Sequence, residues 1–235
     1  MIFRQLFEPQ SSAYTYLIAC EVTRDAALID PVLETVDRDV QLLAELGLRL
    51  RYTIETHIHA DHVTGASALR ERTGCKCAVP DTSGAARADL AVTEGESIHI
   101  GSLKLQPLFT PGHTDDHYSY FLASGDAARV FTGDALLIDG CGRTDFQNGD
   151  AATLYRSVHE KILSLPGDTL VYPGHDYQHR RVSSVDQERD RNPRLGGGKS
   201  IDEFVAIMAG LKLPRPKKMD VAVPANRQCG QVLSG

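Results

Sequence analysis

The stretch Thr56-His57-Ile58-His59-Ala60-Asp61-His62 places three histidines and an aspartate within six consecutive positions. It follows an alternating apolar run over residues 48–56 and precedes a helical pattern that starts near Val63. Side chains two apart in an extended segment point the same way, so His57 and His59 are expected on one side. Asp61 and His62 then fall where a helix would begin. Imidazole is the commonest metal ligand, and first-row ions accept nitrogen and carboxylate oxygen together. A solvated polar turn has no need of three histidines at this spacing. The stretch predicts a metal site at the end of a strand.

Three later segments repeat the arrangement. Residues 105–109 read as a strand ending in Thr110-Pro111-Gly112-His113-Thr114, residues 129–131 end in Thr132-Gly133-Asp134, and residues 170–172 end in Pro173-Gly174-His175. Glycine lets the backbone turn sharply, so each following side chain can face a common edge. One such turn carries little information; three of them behind the histidine-rich loop point to one site.

The remaining pattern frames these strand ends. Residues 3–7, 14–19 and 26–29 read as short strands, with Pro9-Gln10-Ser11-Ser12 separating the first two. Val36, Val40, Leu43 and Leu46 recur at helical spacing until Gly47, and residues 66–72 continue as a helix to Gly74. Residues 77–79 form a short strand, and a polar loop runs through Asp81, Ser83 and Gly84. Residues 97–100, 103–109, 117–122 and 129–131 read as an antiparallel meander with turns at Gly101, Pro111-Gly112 and Gly125-Asp126. Asp150 is placed to cap a helix carrying Leu154, Val158 and Ile162, and Pro166-Gly167-Asp168 turns into a strand over residues 169–172. After Gly174 the chain reads as irregular, through Gly196-Gly197-Gly198, to a helix over residues 200–211 opened by a Ser200/Glu203 capping box. This order predicts two sheets with helices outside them. The expected organisation is one domain over residues 1–235, with a short C-terminal helix and tail from about residue 196.

Composition excludes several classes. A net charge of −6 and only the short basic pairs Arg180-Arg181 and Lys217-Lys218 argue against a nucleic-acid partner. The start, Met1-Ile2-Phe3-Arg4-Gln5, lacks the pattern of a secretory signal, and no apolar run is long enough to span a bilayer. The five cysteines include Cys75 and Cys77 as C-x-C, with no second pair at zinc-ribbon spacing. Free thiols in a reducing compartment follow: the cytoplasm, or a mitochondrial matrix if a targeting segment has been removed.

The H-x-H-x-D-H loop with His113, Asp134 and His175 resembles the metallo-β-lactamase superfamily, over about residues 12–180. That resemblance implies an αββα sandwich of two mixed sheets with helices on the outer faces and metal at one sheet edge. Gly140-Cys141-Gly142-Arg143 is similar to both glyoxalase II and the persulfide dioxygenases. The continuation Thr144-Asp145-Phe146-Gln147-Asn148-Gly149-Asp150 resembles the dioxygenase branch, as do Leu154-Tyr155-Arg156-Ser157-Val158-His159-Glu160-Lys161-Ile162, Tyr172-Pro173-Gly174-His175-Asp176-Tyr177 and Asn192-Pro193-Arg194-Leu195. Glyoxalase II also carries a sizeable helical C-terminal domain, whereas about sixty residues follow His175 here.

The dioxygenase resemblance implies one Fe(II) per chain held by His57, His113 and Asp134, which would also be the catalytic residues. Two histidines and one carboxylate leave coordination positions open for a persulfide sulfur and for O2. His59, Asp61, His62 and His175 would orient those ligands by hydrogen bonding and assist proton transfer. Arg143, Tyr177 and Arg194, at matching family positions, would bind glutathione, whose two carboxylates suit arginine forks. The implied substrates are glutathione persulfide and O2, and the products sulfite and glutathione. A separate rhodanese-type sulfurtransferase is the expected partner and a homodimer the expected assembly. The spacing of the seven ligand-type residues also permits a dinuclear thioester hydrolase like glyoxalase II. Cys141, flanked by glycines, reads as a buried turn residue, and His117 as a candidate for a hydrogen-bond network behind His113. Ala222-Val223-Pro224-Ala225-Asn226 and Cys229 read as structural.

Overall fold

A computed structural model describes residues 1–124 and 127–231, so the turn expected at Gly125-Asp126 lies outside the described residues. The chain forms β1 (Ile2–Glu8), β2 (Ala13–Ala19), β3 (Asp25–Ile29), α1 (Val36–Glu45), β4 (Arg49–Ile54), α2 (Ala66–Thr73), β5 (Lys76–Pro80), β6 (Leu90–Val92) and β7 (Ile98–Ile100). It continues through β8 (Leu103–Phe109), β9 (Tyr118–Leu122), β10 (Arg129–Gly133), α3 (Ala151–Ser157), β11 (Leu170–Pro173), β12 (Ser183–Ser184), α4 (Val185–Arg191), α5 (Ile201–Ala209) and α6 (Met219–Asn226). Two compact units result. The first comprises Met1–Thr93, Ile98–Lys104 and the return of the chain from Arg215; the second comprises Glu94–Ser97 and Leu105–Pro214.

In the first unit β1, β2 and β3 pair antiparallel, while β3, β4, β5 and β6 pair parallel. Parallel neighbours need crossover connections, and α1 and α2 supply two of them. Leu17, Ala26 and Leu28 from the strands pack with Leu43 of α1, Leu50 of β4 and Leu69 of α2. Because Ile29 and Ile54 are register partners, the ends of β3 and β4 deliver Asp30 and the histidine loop side by side.

In the second unit β8, β9 and β10 form the expected antiparallel meander, and β10 pairs parallel with β11. The partners Gly133 and Pro173 set Asp134 and His175 next to one another. Val130, Leu136, Leu154, Val158 and Phe204 make the core of this unit. Asp150 caps α3, accepting from the Thr153 N–H at 2.7 Å, and the capping box of Ser200 and Glu203 is complete.

Two expectations need correction, on α2 and α4, and β6 and α6 are elements that were not anticipated. Helix α2 starts at Ala66, so Asp61 and His62 lie in irregular backbone ahead of its cap at Gly65. Strand β6 is too short to show alternation. Helix α4 lies in the segment read as irregular, since its sequence VDQERDR carries no apolar stripe. Helix α6 contains Pro224, which argues against a helix when read locally. No described helix is long and apolar enough to cross a membrane.

Candidate metal centre

The first unit brings His57, His59, Asp61 and His62 together. The rings of His57 and His59, expected on one side, are 4.2 Å apart, and those of His59 and His62 lie 4.4 Å apart. Ligand atoms of His59, Asp61 and His62 lie within 4.8 Å of one another. Asp61 and His62 also engage each other, Oδ2 to Nδ1 at 2.8 Å.

Asp30 anchors this loop from beneath. Its backbone is left-handed, φ +50°, a conformation that aspartate tolerates better than most residues. Its carboxylate accepts from the Thr56 N–H at 2.7 Å and from the Thr56 hydroxyl at 2.9 Å. That hydroxyl has one proton, so the 2.9 Å contact with His57 Nδ1 is donated by the ring. His57 therefore presents a basic Nε2. His59 Nε2 lies 3.2 Å from Asp30 and 3.6 Å from Glu55. Burial opposes a charge on His59, but Asp30 and Glu55 outweigh it and hold its pKa well above the ordinary imidazole range. Burial dominates at Glu55 and raises its carboxyl, although His59 and the Thr64 hydroxyl favour the charged form.

The second unit brings His113, Asp134 and His175 together. Asp134 Oδ1 accepts from His175 Nδ1 at 2.7 Å, and Oδ2 lies 3.6 Å from His113 Nε2. His113 Nδ1 donates to the Arg143 carbonyl at 2.6 Å, so His113 also presents Nε2. His117, buried, accepts the Asp134 N–H on Nε2 at 3.1 Å and meets the Thr110 hydroxyl with Nδ1 at 3.0 Å. The network expected behind His113 instead fixes the backbone of Asp134. Close packing explains two glycines here. A Cβ on Gly142 would come within 2.7 Å of His113 Nδ1, and one on Gly174 within 2.7 Å of Asp134 Oδ1.

The three residues assigned to glutathione lie in this unit. The Arg143 guanidinium holds Asp145 at 2.6 and 2.8 Å and the carbonyls of Pro214 and Leu213 at 2.6 and 3.2 Å. Tyr177 is 73% exposed and stacks parallel to His175, which suits a ligand contact better than a core role. Arg194 donates to the Cys141 carbonyl at 2.9 Å. Cys141 is buried, and burial pushes its thiol up to about 11, against use as a nucleophile.

Sequence reading missed Asp30, Thr56 and Asn226 as supports of the loop. Asn226, on α6, donates to the carbonyls of His59 and His62 and accepts from the Thr64 N–H, each at 2.9 Å. Such contacts join positions far apart in the chain and leave no local pattern.

His57 in the first unit presents an imidazole Nε2, and the second presents the Nε2 of His113 and the carboxylate of Asp134; each is a donor that first-row metal ions accept. A sequence profile described as the metallo-β-lactamase superfamily matches residues 9–175. Human mitochondrial persulfide dioxygenase ETHE1 is 53% identical over 231 residues, covering 98% of this chain and 89% of the relative. The crystal structure of ETHE1 from Myxococcus xanthus superposes with a TM-score of 0.94 at 56% identity, covering 98% of this chain and all of that one. A hydroxyacylglutathione hydrolase of Cereibacter sphaeroides is 34% identical over 208 residues, covering 88% of this chain and 77% of the relative.

Proposed function

The chain belongs to the metallo-β-lactamase superfamily, and within it we propose a persulfide dioxygenase that oxidises glutathione persulfide with O2. The outer sulfur takes both oxygen atoms of O2 and a third from water. The S–S bond breaks, and sulfite, glutathione and two protons result. The observation that carries this reading is the match with persulfide dioxygenases over nearly the whole chain.

His57, His113 and Asp134 are the proposed ligands of one iron per chain. Iron(II), when bound, supplies the redox chemistry and the open positions that sulfur and O2 require. The protein's part is orientation. Thr56 and the Arg143 carbonyl hold the two imidazoles in the tautomer that offers Nε2, while His117 fixes the Asp134 backbone. The remaining family ligands are turned on their own neighbours: His175 on Asp134, His62 on Asp61 and His59 on Asp30. The single metal is taken from the match with persulfide dioxygenases. His175 and His62 are the proposed residues for orienting the ligands and relaying protons.

Arg143 and Arg194 are the proposed grips for the glutathione carboxylates, with Tyr177 packing against the peptide. A carboxylate arriving at Arg143 would replace Asp145, which is itself 57% exposed. We take both units as one functional domain, because the matched region runs through each. A homodimer, supply of persulfide by a separate sulfurtransferase and a reducing compartment complete the proposal, the last supported by five free cysteines.

The second reading, a dinuclear thioester hydrolase, has the full seven-residue ligand set and the hydroxyacylglutathione hydrolase match in its favour. Elemental analysis of protein purified without added metal, with oxygen uptake on glutathione persulfide, separates the two. About one iron per chain with persulfide-dependent uptake is expected. About two metals per chain with S-lactoylglutathione turnover and no uptake would overturn the proposal.

A further inference from the structure

Residues 57–64 belong to no helix or strand, so their backbone polar groups need partners from elsewhere. One flank is held by the Leu33 N–H, which donates to the Val63 carbonyl at 2.9 Å, and by the isolated bridge between Val32 and Thr64. The other flank is held by the last helix. The buried Asn226 amide spends both donors and its acceptor on this loop, with His59 O, His62 O and Thr64 N each at 2.9 Å. These groups bracket Asp61 and follow His57 by two, five and seven residues.

The chain around Asn226 is fitted to the same place. The Cys229 carbonyl accepts from the Ser67 N–H at 2.9 Å, at the start of α2. Gly230 lies so close that an added Cβ would stand 2.1 Å from the Thr64 carbonyl. Cys229 packs with Ala66, Cys77 and Val79, and Ala222 and Ala225 pack with Val63. A packing role alone would be met by the apolar residues of α6. The amide adds something different, a fixed spacing between three backbone groups of the metal loop.

We propose that Asn226 is a positioning residue for the metal: by clamping the His59–Thr64 backbone it fixes the presentation of His57, acting through the loop rather than by touching the ion. The inference rests on the reading of His57 as an iron ligand. Groups hydrogen-bonded directly to the ligands typically affect metal affinity by about 10- to 100-fold, and a clamp that acts through the loop belongs at the lower end of that range.

The test compares iron-loaded wild type with Asn226→Ala, Asn226→Asp and Val223→Ala. Val223 is half-buried on the same helix and makes no side-chain hydrogen bond to the loop, so its truncation loosens α6 without touching the clamp. The readouts are iron retained against a chelator, thermal unfolding, and kcat and KM for oxygen uptake with glutathione persulfide. Asn226→Ala is expected to weaken iron retention by about 10-fold, the lower end for groups bonded to the ligands themselves. Its kcat falls with iron content, and KM changes little once iron is resupplied. Asn226→Asp keeps the side-chain shape and the acceptor for Thr64 but loses both donors, so it should lose iron as Ala does and stands in if Ala does not fold. Val223→Ala should melt earlier yet keep its iron. Retention in both Asn226 variants within twofold of wild type, or an equal loss in Val223→Ala at matched stability, would overturn the inference. If wild type held iron but consumed no oxygen, the persulfide reading would fail while the retention contrast still judged Asn226.

Discussion

Asp39 lies on α1, 1% exposed, with Oδ1 held by Arg38 at 2.7 Å and Oδ2 without a hydrogen-bond partner. Burial pushes its carboxyl up from 3.8 to about 6, and Arg38 offsets only part of that. A carboxyl with a folded value above its unfolded one binds its proton more tightly in the native state. Its contribution is fully present below pH 3.8 and is lost as pH rises through about 6. At neutral pH the ionised, half-partnered carboxylate opposes folding by at most about 3 kcal/mol, reckoned at about 1.4 kcal/mol per pH unit. Asp39→Asn is therefore expected to raise stability at pH 7 by up to that amount, less the lost attraction of Arg38, and to flatten the dependence between pH 4 and 6. Urea unfolding of both proteins at pH 4, 5, 6 and 7 measures this. A variant less stable at pH 7, with the wild-type slope retained, would show that the Arg38 pair outweighs burial.

Gly112 shows how one turn ties His113, a proposed metal ligand, to a helix. Its φ is +133°, and an added Cβ would stand 2.3 Å from the Leu154 nitrogen and 2.4 Å from its Cα, both main chain and unable to move aside. The turn is bound to α3 twice, through Asp150 N–H to Gly112 O at 2.9 Å and the Ser157 hydroxyl to Pro111 O at 2.7 Å. Gly112→Ala combines backbone strain with overpacking, each worth about 1–3 kcal/mol, so a loss of roughly 2 to 6 kcal/mol is expected. Displacement of His113 should lower iron content in parallel. Gly84→Ala is the control: its φ is +66° with nothing within 4 Å, so about 1 kcal/mol is expected with iron unchanged. Thermal melts with metal analysis decide. The elements that were legible from sequence share a local cause: the strand-end glycines, the Asp150 cap and the Ser200/Glu203 box each act within a few residues. What was not legible is non-local. Thr56 reaches Asp30 across 26 residues, Asp134 reaches His117 across 17, and Thr64 reaches Asn226 across 162. Helix α6 was hidden further by Pro224, whose penalty is met by packing of Ala222 and Ala225 on Val63. The proposed ligands stand out because histidine and aspartate at strand ends are unusual; their supports are ordinary residues made important by topology.

Over the full chain the two units differ in one respect, which is when their residues become available. The second unit is nearly continuous, Leu105–Pro214 with the short piece Glu94–Ser97. The first needs Met1–Thr93, Ile98–Lys104 and the segment from Arg215. That segment supplies Asn226 to the metal loop, the Arg227 carbonyl to the Ala86 N–H, the Cys229 carbonyl to Ser67, and Cys229 to the core around Cys77. Without it the buried carbonyls of His59 and His62 lose their donor, and each buried polar group left unmade costs about 1–3 kcal/mol. Native domains hold only about 5–15 kcal/mol in total, so several such losses together leave the first unit marginal. A chain stopped after Pro214 is thus expected to keep the second unit folded and to lose order in the first. Limited proteolysis followed by mass spectrometry should show early cuts within residues 1–93, while residues 105–214 resist as in the full chain. Iron retention should fall with the first unit. Equal resistance of the two regions in the truncated chain would mean that the first unit is complete without its return segment, and the role given to the last helix would have to be withdrawn.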